Sequence, residues 1–132
     1  MLHHLTLWVP DRERAERSWS WLLGCLGYER DRVVDNVALF RHAGGFSVAL
    51  EESPDMVPGM LYSRFRPGLN HLAFRVDTEA TFAEIVEGAP AFGWSALPTG
   101  DLHPISGAAD VAYLEDQDGF EVELVRARAL RV

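Results

Sequence analysis

The feature that most constrains this chain is an internal duplication. Residues 2–9, with the sequence LHHLTLWV, are matched 67 positions later by residues 69–76, with the sequence LNHLAFRV. The similarity continues to the end of each half, where GFSVAL at 45–50 resembles GFEVEL at 119–124. Because a sequence repeat marks a repeated structural unit, we expect two similar modules.

Each half is predicted to contain a strand, a helix and three further strands, which is an α+β pattern. Asp11 is a plausible N-cap for a helix to about Leu26, and Thr78 for a helix to about Gly88. The last strands are predicted at 33–41 and 46–51, and at 111–114 and 120–125. We expect one domain spanning 1–132, with module 1 at about 1–53, a proline-containing linker at 54–67 and module 2 at about 68–127.

Composition limits the classes of function. With 132 residues, of which 48% are hydrophobic, the chain can form one compact domain with a real core. A net charge of −8 without an arginine-rich stripe argues against a nucleic-acid partner. All 12 basic residues are arginine, which excludes chemistry that needs a lysine. The single cysteine, Cys25, cannot form an internal disulfide and is predicted to be a buried thiol.

No targeting or membrane-spanning segment is recognised in the sequence. The N-terminus lacks the basic and long apolar regions of a signal peptide, and no stretch approaches the ~20 apolar residues of a membrane span. We therefore expect a cytoplasmic protein that does not bind membranes.

The matching histidines are the strongest candidates for a functional site. Side chains alternate between the two faces of a strand, so His4, Thr6 and Trp8 should share one face. If the modules pair about a pseudo-twofold axis, His4 and His71 converge, with Glu123 as the natural third member. Two imidazoles and one carboxylate suit Fe, Mn, Co, Ni or Zn and leave coordination positions for substrate oxygens or water.

The duplication is imperfect at one position of this site. Ala49 occupies the place in the first half that corresponds to Glu123, so a fourth ligand should be absent there. Glu51 lies on the same face but two residues further along, roughly 6.6 Å away, and stays an alternative ligand. His3 and His4 are adjacent and should point in opposite directions, so that only one of them belongs to the site.

Other polar and aromatic residues are candidates for catalysis or substrate binding. His103, in a loop, and Tyr113 are candidate acid–base residues, the alternatives being a solvated loop histidine and a core aromatic residue. The residues predicted to face the pocket and bind substrate are Thr6, Trp8, Ser47 and Arg75. For Trp8 as well, burial in the core is the alternative.

Four motifs together resemble the vicinal oxygen chelate superfamily. They are HLTLxVxD at 4–11, LGY at 26–28, NHLAF at 70–74 and DxDGFxVEL at 116–124. The resemblance covers nearly the whole chain and implies two βαβββ modules that form a cupped mixed sheet around a divalent metal. It also implies that His4, His71 and Glu123 are the metal ligands. Ala49 stands where glyoxalase I has a glutamate, which argues against the glyoxalase I reaction.

Two functional hypotheses follow from this resemblance. The first is a metal-dependent enzyme of the glyoxalase/dioxygenase type, with lyase, isomerase or dioxygenase chemistry on a small molecule that carries vicinal oxygens. The alternative is a metal-free protein of the bleomycin-resistance kind, which sequesters a drug or metabolite. The resemblance further implies a homodimer, without deciding whether one chain or two form each cup.

Overall fold

The computed structural model describes residues 1–98 and 110–126, which fall into two compact units. The units are Met1–Tyr62 and Ser63–Val132, and the boundary between them lies inside the segment predicted as a linker. None of the helices in the described residues is long and apolar enough to cross a membrane.

The first unit consists of one helix and a four-stranded mixed sheet. Its elements are β1 (His4–Trp8), α1 (Arg12–Cys25), β2 (Tyr28–Val34), β3 (Val37–His42) and β4 (Ser47–Glu51). The strand order is β1-β4-β3-β2, with β1 parallel to β4 and the other pairs antiparallel. Asp11 caps α1 by accepting a 3.0 Å hydrogen bond from the Arg14 N–H, as predicted, and Trp19, Leu22 and Leu23 of the helix are fully buried.

The second unit repeats this arrangement. Its elements are β5 (His71–Arg75), α2 (Glu79–Gly88), a 3-10 turn (Ala89–Phe92), β6 (Ser95–Leu97), β7 (Asp110–Glu115) and β8 (Glu121–Arg126). The strand order β5-β8-β7-β6 matches the first sheet strand for strand, with β5 parallel to β8. The predicted α+β class and the two βαβββ modules are therefore confirmed.

The predicted strand at 33–41 is wrong, because the chain reverses direction inside it. Asp35 and Asn36 both have positive φ, at 48° and 65°, and form a two-residue turn between β2 and β3. Two consecutive positive φ angles are typical of the type I′ hairpin turn, in which Asn and Asp are tolerated beside the more usual glycine. The apolar residues on both sides of the turn look continuous in the sequence and hide it.

This turn gives a test of the β2–β3 hairpin. We expect Asn36→Val to destabilise the protein by about 1–2 kcal/mol, because a β-branched side chain is disfavoured in the left-handed conformation. Asn36→Gly is the matched control and should keep or slightly raise stability. Urea denaturation of the two variants measures the difference; equal stabilities would contradict the turn.

Two further local features were not predicted correctly from the sequence: the exposure of Cys25 and the buried aspartate in the last hairpin turn. Cys25, the last residue of α1, forms no disulfide and is partly exposed rather than buried. In the β7–β8 turn, Asp116 is buried and its Oδ1 accepts 2.9 Å hydrogen bonds from the N–H groups of Asp118 and Phe120. These bonds fix the hairpin that carries Tyr113 and Glu123.

Candidate metal centre

The register of the strands places the predicted ligands at equivalent positions in the two sheets. His4 pairs with Ser47 across β1 and β4, and His71 pairs with Glu121 across β5 and β8. Two residues further along, Thr6 pairs with Ala49 and Ala73 pairs with Glu123. Ala49 and Glu123 are therefore equivalent positions, so the first module has a methyl group where the second has a carboxylate.

In the second unit, His71 and Glu123 meet directly. The Nε2 atom of His71 lies 3.1 Å from Oε2 of Glu123, with the imidazole 28% exposed and the carboxylate side chain only 6% exposed. The other carboxylate oxygen, Oε1, is buried without a hydrogen-bond partner among the described residues. A buried carboxylate oxygen without a partner is costly, so this position is unfavourable unless a ligand completes it.

Asn70 determines which nitrogen of His71 carries the proton. The Asn70 amide Nδ2 donates a 3.1 Å hydrogen bond to the main-chain oxygen of Arg64, so its Oδ1 faces His71 Nδ1 at 2.7 Å. An amide oxygen only accepts, and Nδ1 must therefore carry a hydrogen. In neutral His71 the lone pair is then on Nε2 and points at the carboxylate. Either a proton or a metal ion between Nε2 and Oε2 resolves the repulsion between these two acceptors.

The two donor atoms fit a divalent metal in both chemistry and separation. Imidazole nitrogen and carboxylate oxygen bind such ions at about 2.0–2.2 Å, so neighbouring ligands of one ion lie about 3.0–3.4 Å apart. The observed 3.1 Å lies within that interval. Metal-binding histidines also commonly donate their second ring N–H to an oxygen acceptor, as His71 does to Asn70.

Tyr113 borders this pair of donors. It is opposite Glu123 in the β7–β8 register, and its ring lies edge-on to the His71 imidazole with 6.4 Å between centroids. Burial raises the pKa of the Tyr113 hydroxyl above its ordinary value of 10.0, and the negative charge of Glu123, a hydrogen bond to the same carboxylate and the negative charge of Glu121 raise it further. The hydroxyl therefore keeps its proton at neutral pH and is available as a hydrogen-bond or proton donor, but not as a base.

In the first unit, the predicted separation of His3 from His4 is wrong. The Nδ1 atoms of the two imidazoles lie 2.9 Å apart and the rings meet edge-on. Side chains alternate only within a strand, and β1 begins at His4, so the rule does not apply to His3. His3 thus contacts the candidate ligand rather than pointing away from it.

The residues predicted to bind substrate lie on the strand faces expected for them. Thr6 and Trp8 are exposed on the same face of β1 as His4, and Arg75 is exposed on the same face of β5 as His71. Ser47 is paired with His4 but is buried. Glu51 pairs with Trp8, two residues beyond Ala49, and its role as an alternative ligand stays a prediction. His103 lies outside the described residues.

Arg64 forms a cluster of charged contacts that was not predicted from the sequence. The guanidinium group, 15% exposed, contacts Glu115 Oε2 at 3.0 Å and Glu121 Oε2 at 3.1 Å. It also lies 4.7 Å from the centre of the Phe65 ring, which it overlies. Arg64 thereby offsets part of the negative charge of Glu115 on β7 and of Glu121, which lies on β8 two residues before Glu123. Its ion-pair partners are more than 50 residues away along the chain, so no local pattern indicates them.

Within residues 1–98 and 110–126, no group of three or more His, Cys, Asp or Glu side chains is arranged to hold a metal ion. The second unit contributes two of the three predicted donors as an adjacent pair. The convergence of His4 with that pair stays a prediction.

The chain has relatives that match it over nearly its full length. The uncharacterized protein YqjT of Bacillus subtilis is 32% identical over 127 residues, covering 94% of this chain and 97% of its own. The crystal structure of a proposed glyoxalase from Bacillus halodurans has a TM-score of 0.80 at 30% identity and covers 96% of this chain and 95% of its own.

A more distant structure shares the fold. The fosfomycin resistance protein FosX of Listeria monocytogenes, solved with Mn(II) and a dihydroxypropylphosphonic acid, gives a TM-score of 0.66 at 21% identity. It covers 97% of this chain and 90% of its own.

The family comparison agrees with the duplicated fold. Residues 3–113 match the model of the glyoxalase/bleomycin resistance protein/dioxygenase superfamily, which includes enzymes such as glyoxalases and FosX. The match covers most of the chain, from the residue before His4 through Tyr113. The chain therefore belongs to the glyoxalase/bleomycin resistance protein/dioxygenase superfamily.

Proposed function

We propose that this protein is a divalent-metal-dependent enzyme that acts on a small molecule with two neighbouring oxygen atoms. The observation that carries the proposal is the 3.1 Å approach of His71 Nε2 to Glu123 Oε2. With Nδ1 committed to Asn70, and Oε1 of Glu123 without a hydrogen-bond partner among the described residues, both donor groups are prepared for a cation.

His4 is the proposed third ligand. It is equivalent to His71 in the duplication and occupies the same place at the start of the corresponding strand. The family relationship supports a metal, since FosX was solved with Mn(II). Two imidazoles and one carboxylate suit Fe, Mn, Ni, Co or Zn, and the donor set does not select among these ions.

A divalent ion bound by these residues would supply Lewis acidity toward the two substrate oxygens. The protein's own contribution begins with Tyr113, whose protonated hydroxyl next to Glu123 can donate to a substrate oxygen or to a leaving group. Arg64 forms an ion pair with Glu121, two residues before Glu123, and this pair offsets part of the negative charge beside the site. Lyase, isomerase and dioxygenase chemistry are all compatible with these roles, and His103 remains a second proposed acid–base residue.

The remaining proposed substrate contacts lie on the exposed strand faces. Arg75 is exposed and makes no ion pair with any described residue, which suits an anionic group on the substrate. Trp8, 48% exposed at the equivalent position of the first module, offers an apolar surface, while Thr6 and Ser47 offer hydroxyl groups. A homodimer is also part of this proposal.

Metal content tests the function. We expect the protein, after incubation with each candidate ion and gel filtration, to retain about one ion per chain as measured by plasma mass spectrometry. His4→Ala should lower this occupancy to well below half. His42→Ala is the matched control, because the His42 ring serves a turn by accepting a hydrogen bond from the Gly44 N–H at 2.9 Å.

A lack of bound metal under all these conditions would contradict the enzyme proposal. The metal-free alternative, sequestration of a drug or metabolite, would then be favoured. Full occupancy in His4→Ala would instead remove His4 from the ligand set while keeping the metal.

A further inference from the structure

The residue before each candidate ligand makes the same contact in both modules. Asn70 Oδ1 lies 2.7 Å from Nδ1 of His71, and His3 Nδ1 lies 2.9 Å from Nδ1 of His4. His3 and Asn70 are themselves 67 positions apart, so they are equivalent in the duplication. The contact is therefore conserved between the halves although the side chains that make it differ.

From this repeated contact we infer that His3 and Asn70 are positioning residues, each of which holds its neighbouring histidine with a proton on Nδ1 and a lone pair on Nε2. The inference rests on the proposed metal function for its purpose, though not for its geometry. In both modules the preceding residue contacts Nδ1 of the candidate ligand, which leaves Nε2 as the nitrogen that can bind a metal ion.

The direction of each hydrogen bond follows from the chemistry of the acceptors. The Asn70 Nδ2 donates to the Arg64 main-chain oxygen at 3.1 Å, so the Oδ1 of Asn70 faces His71. An amide oxygen can only accept, and His71 Nδ1 is therefore the donor. His3 can donate or accept. A histidine that binds metal through Nε2 must carry its proton on Nδ1, so His3 accepts from His4 and carries its own proton on Nε2.

The two positioning residues differ in how they are held. Asn70 is anchored by the main chain of Arg64, whose side chain is fixed by Glu115 and Glu121. His3 is exposed and precedes the first strand, and its main-chain oxygen accepts a 3.2 Å hydrogen bond from the Ser47 N–H. The second module therefore presents the more rigid histidine, since its support extends to three side chains.

Nuclear magnetic resonance of the metal-free protein tests the inference without any metal. Long-range proton–nitrogen spectra distinguish the two neutral tautomers of each ring. In the wild type, at a pH high enough for both rings to be neutral, His4 and His71 should carry their single proton on Nδ1. Asn70→Ala should release His71 to a mixture of tautomers and leave His4 unchanged, and His3→Ala should do the reverse.

Metal affinity provides the second measurement. Loss of such a support typically lowers affinity 10–100-fold, and we expect a loss in this range for Asn70→Ala and for His3→Ala with Zn(II) or Mn(II) in a chelator competition. His3→Asn keeps an oxygen acceptor and should stay within a few-fold of wild type. His3→Asn reproduces in the first module the residue that the second already has.

Thr78→Ala is the structural control. It removes the 3.1 Å hydrogen bond that the Thr78 hydroxyl accepts from the Thr81 N–H, which caps α2 in the same unit as His71. We expect this variant to change neither the histidine tautomers nor the metal affinity. Unchanged tautomers in both alanine variants would overturn the inference, whether or not metal binds. Tautomers that shift as expected in a protein that binds no metal would support the positioning roles and contradict the proposed function. Should Asn70→Ala fail to fold, His3→Ala alone still decides the question.

Discussion

Replacing Glu123 with glutamine should lower metal affinity about 1000-fold while making the metal-free protein more stable. Removing one charged partner from a buried, hydrogen-bonded pair costs on the order of 2–5 kcal/mol of binding free energy. A change of about 1.4 kcal/mol corresponds to a tenfold change in the dissociation constant. Glu123 is only 4% exposed, so its charge is poorly solvated when no cation is present.

The gain in stability has a separate physical reason. In the metal-free protein the carboxylate faces the Nε2 atom of His71, and its Oε1 has no hydrogen-bond partner in the described part of the chain. A glutamine amide can donate to that nitrogen and removes the buried charge, for an expected gain of about 1–2 kcal/mol in the free energy of unfolding. Urea denaturation with a chelator present measures stability, and chelator competition measures affinity.

Glu51→Gln is the matched control for this variant. It removes a carboxylate from the equivalent strand of the first module, where the register places it two residues beyond Ala49. We expect its metal affinity to stay within about twofold of wild type. An equal loss in the two variants would make Glu51 a ligand, and unchanged affinity in Glu123→Gln would contradict the site.

The fold was largely predictable because its signals are local or repeated. The caps at Asp11 and Thr78 mark the helix starts, and the repeated motifs give the two modules. The turn at Asp35 and Asn36 was missed since neither residue is glycine and valines flank it. The three-residue strand β6 is too short to show an alternating pattern.

The candidate site was predictable only in part. The repeat identifies His71 as the equivalent of His4. The alternation of side chains along the two neighbouring strands then places Glu123 on the same face as His71. Asn70 was visible as a member of the NHLAF motif, but its hydrogen bonds depend on where Arg64 lies. Contacts between residues far apart in sequence follow from tertiary structure and leave no local pattern.

The second large effect is expected at Arg64. We predict that Arg64→Ala lowers the free energy of unfolding by about 3 kcal/mol, because it leaves Glu121, 8% exposed, without its 3.1 Å ion-pair partner. Glu115 is 32% exposed and is stabilised by water after the loss, so it contributes less. Arg75→Ala is the matched control, since this exposed arginine makes no ion pair with described residues, and should change stability by less than about 0.5 kcal/mol.

A double variant separates the cost of the unpaired charge from the loss of packing. If the cost lies in the charge of Glu121, Arg64→Ala combined with Glu121→Gln should recover about half of the lost stability, because no buried carboxylate is then left unpaired. No recovery would assign the loss to other contacts of the Arg64 side chain, such as the Phe65 ring. Because Asn70 is bound to the Arg64 main chain, and both variants lack the Arg64 side chain, both should loosen the hydrogen bond between Asn70 and His71.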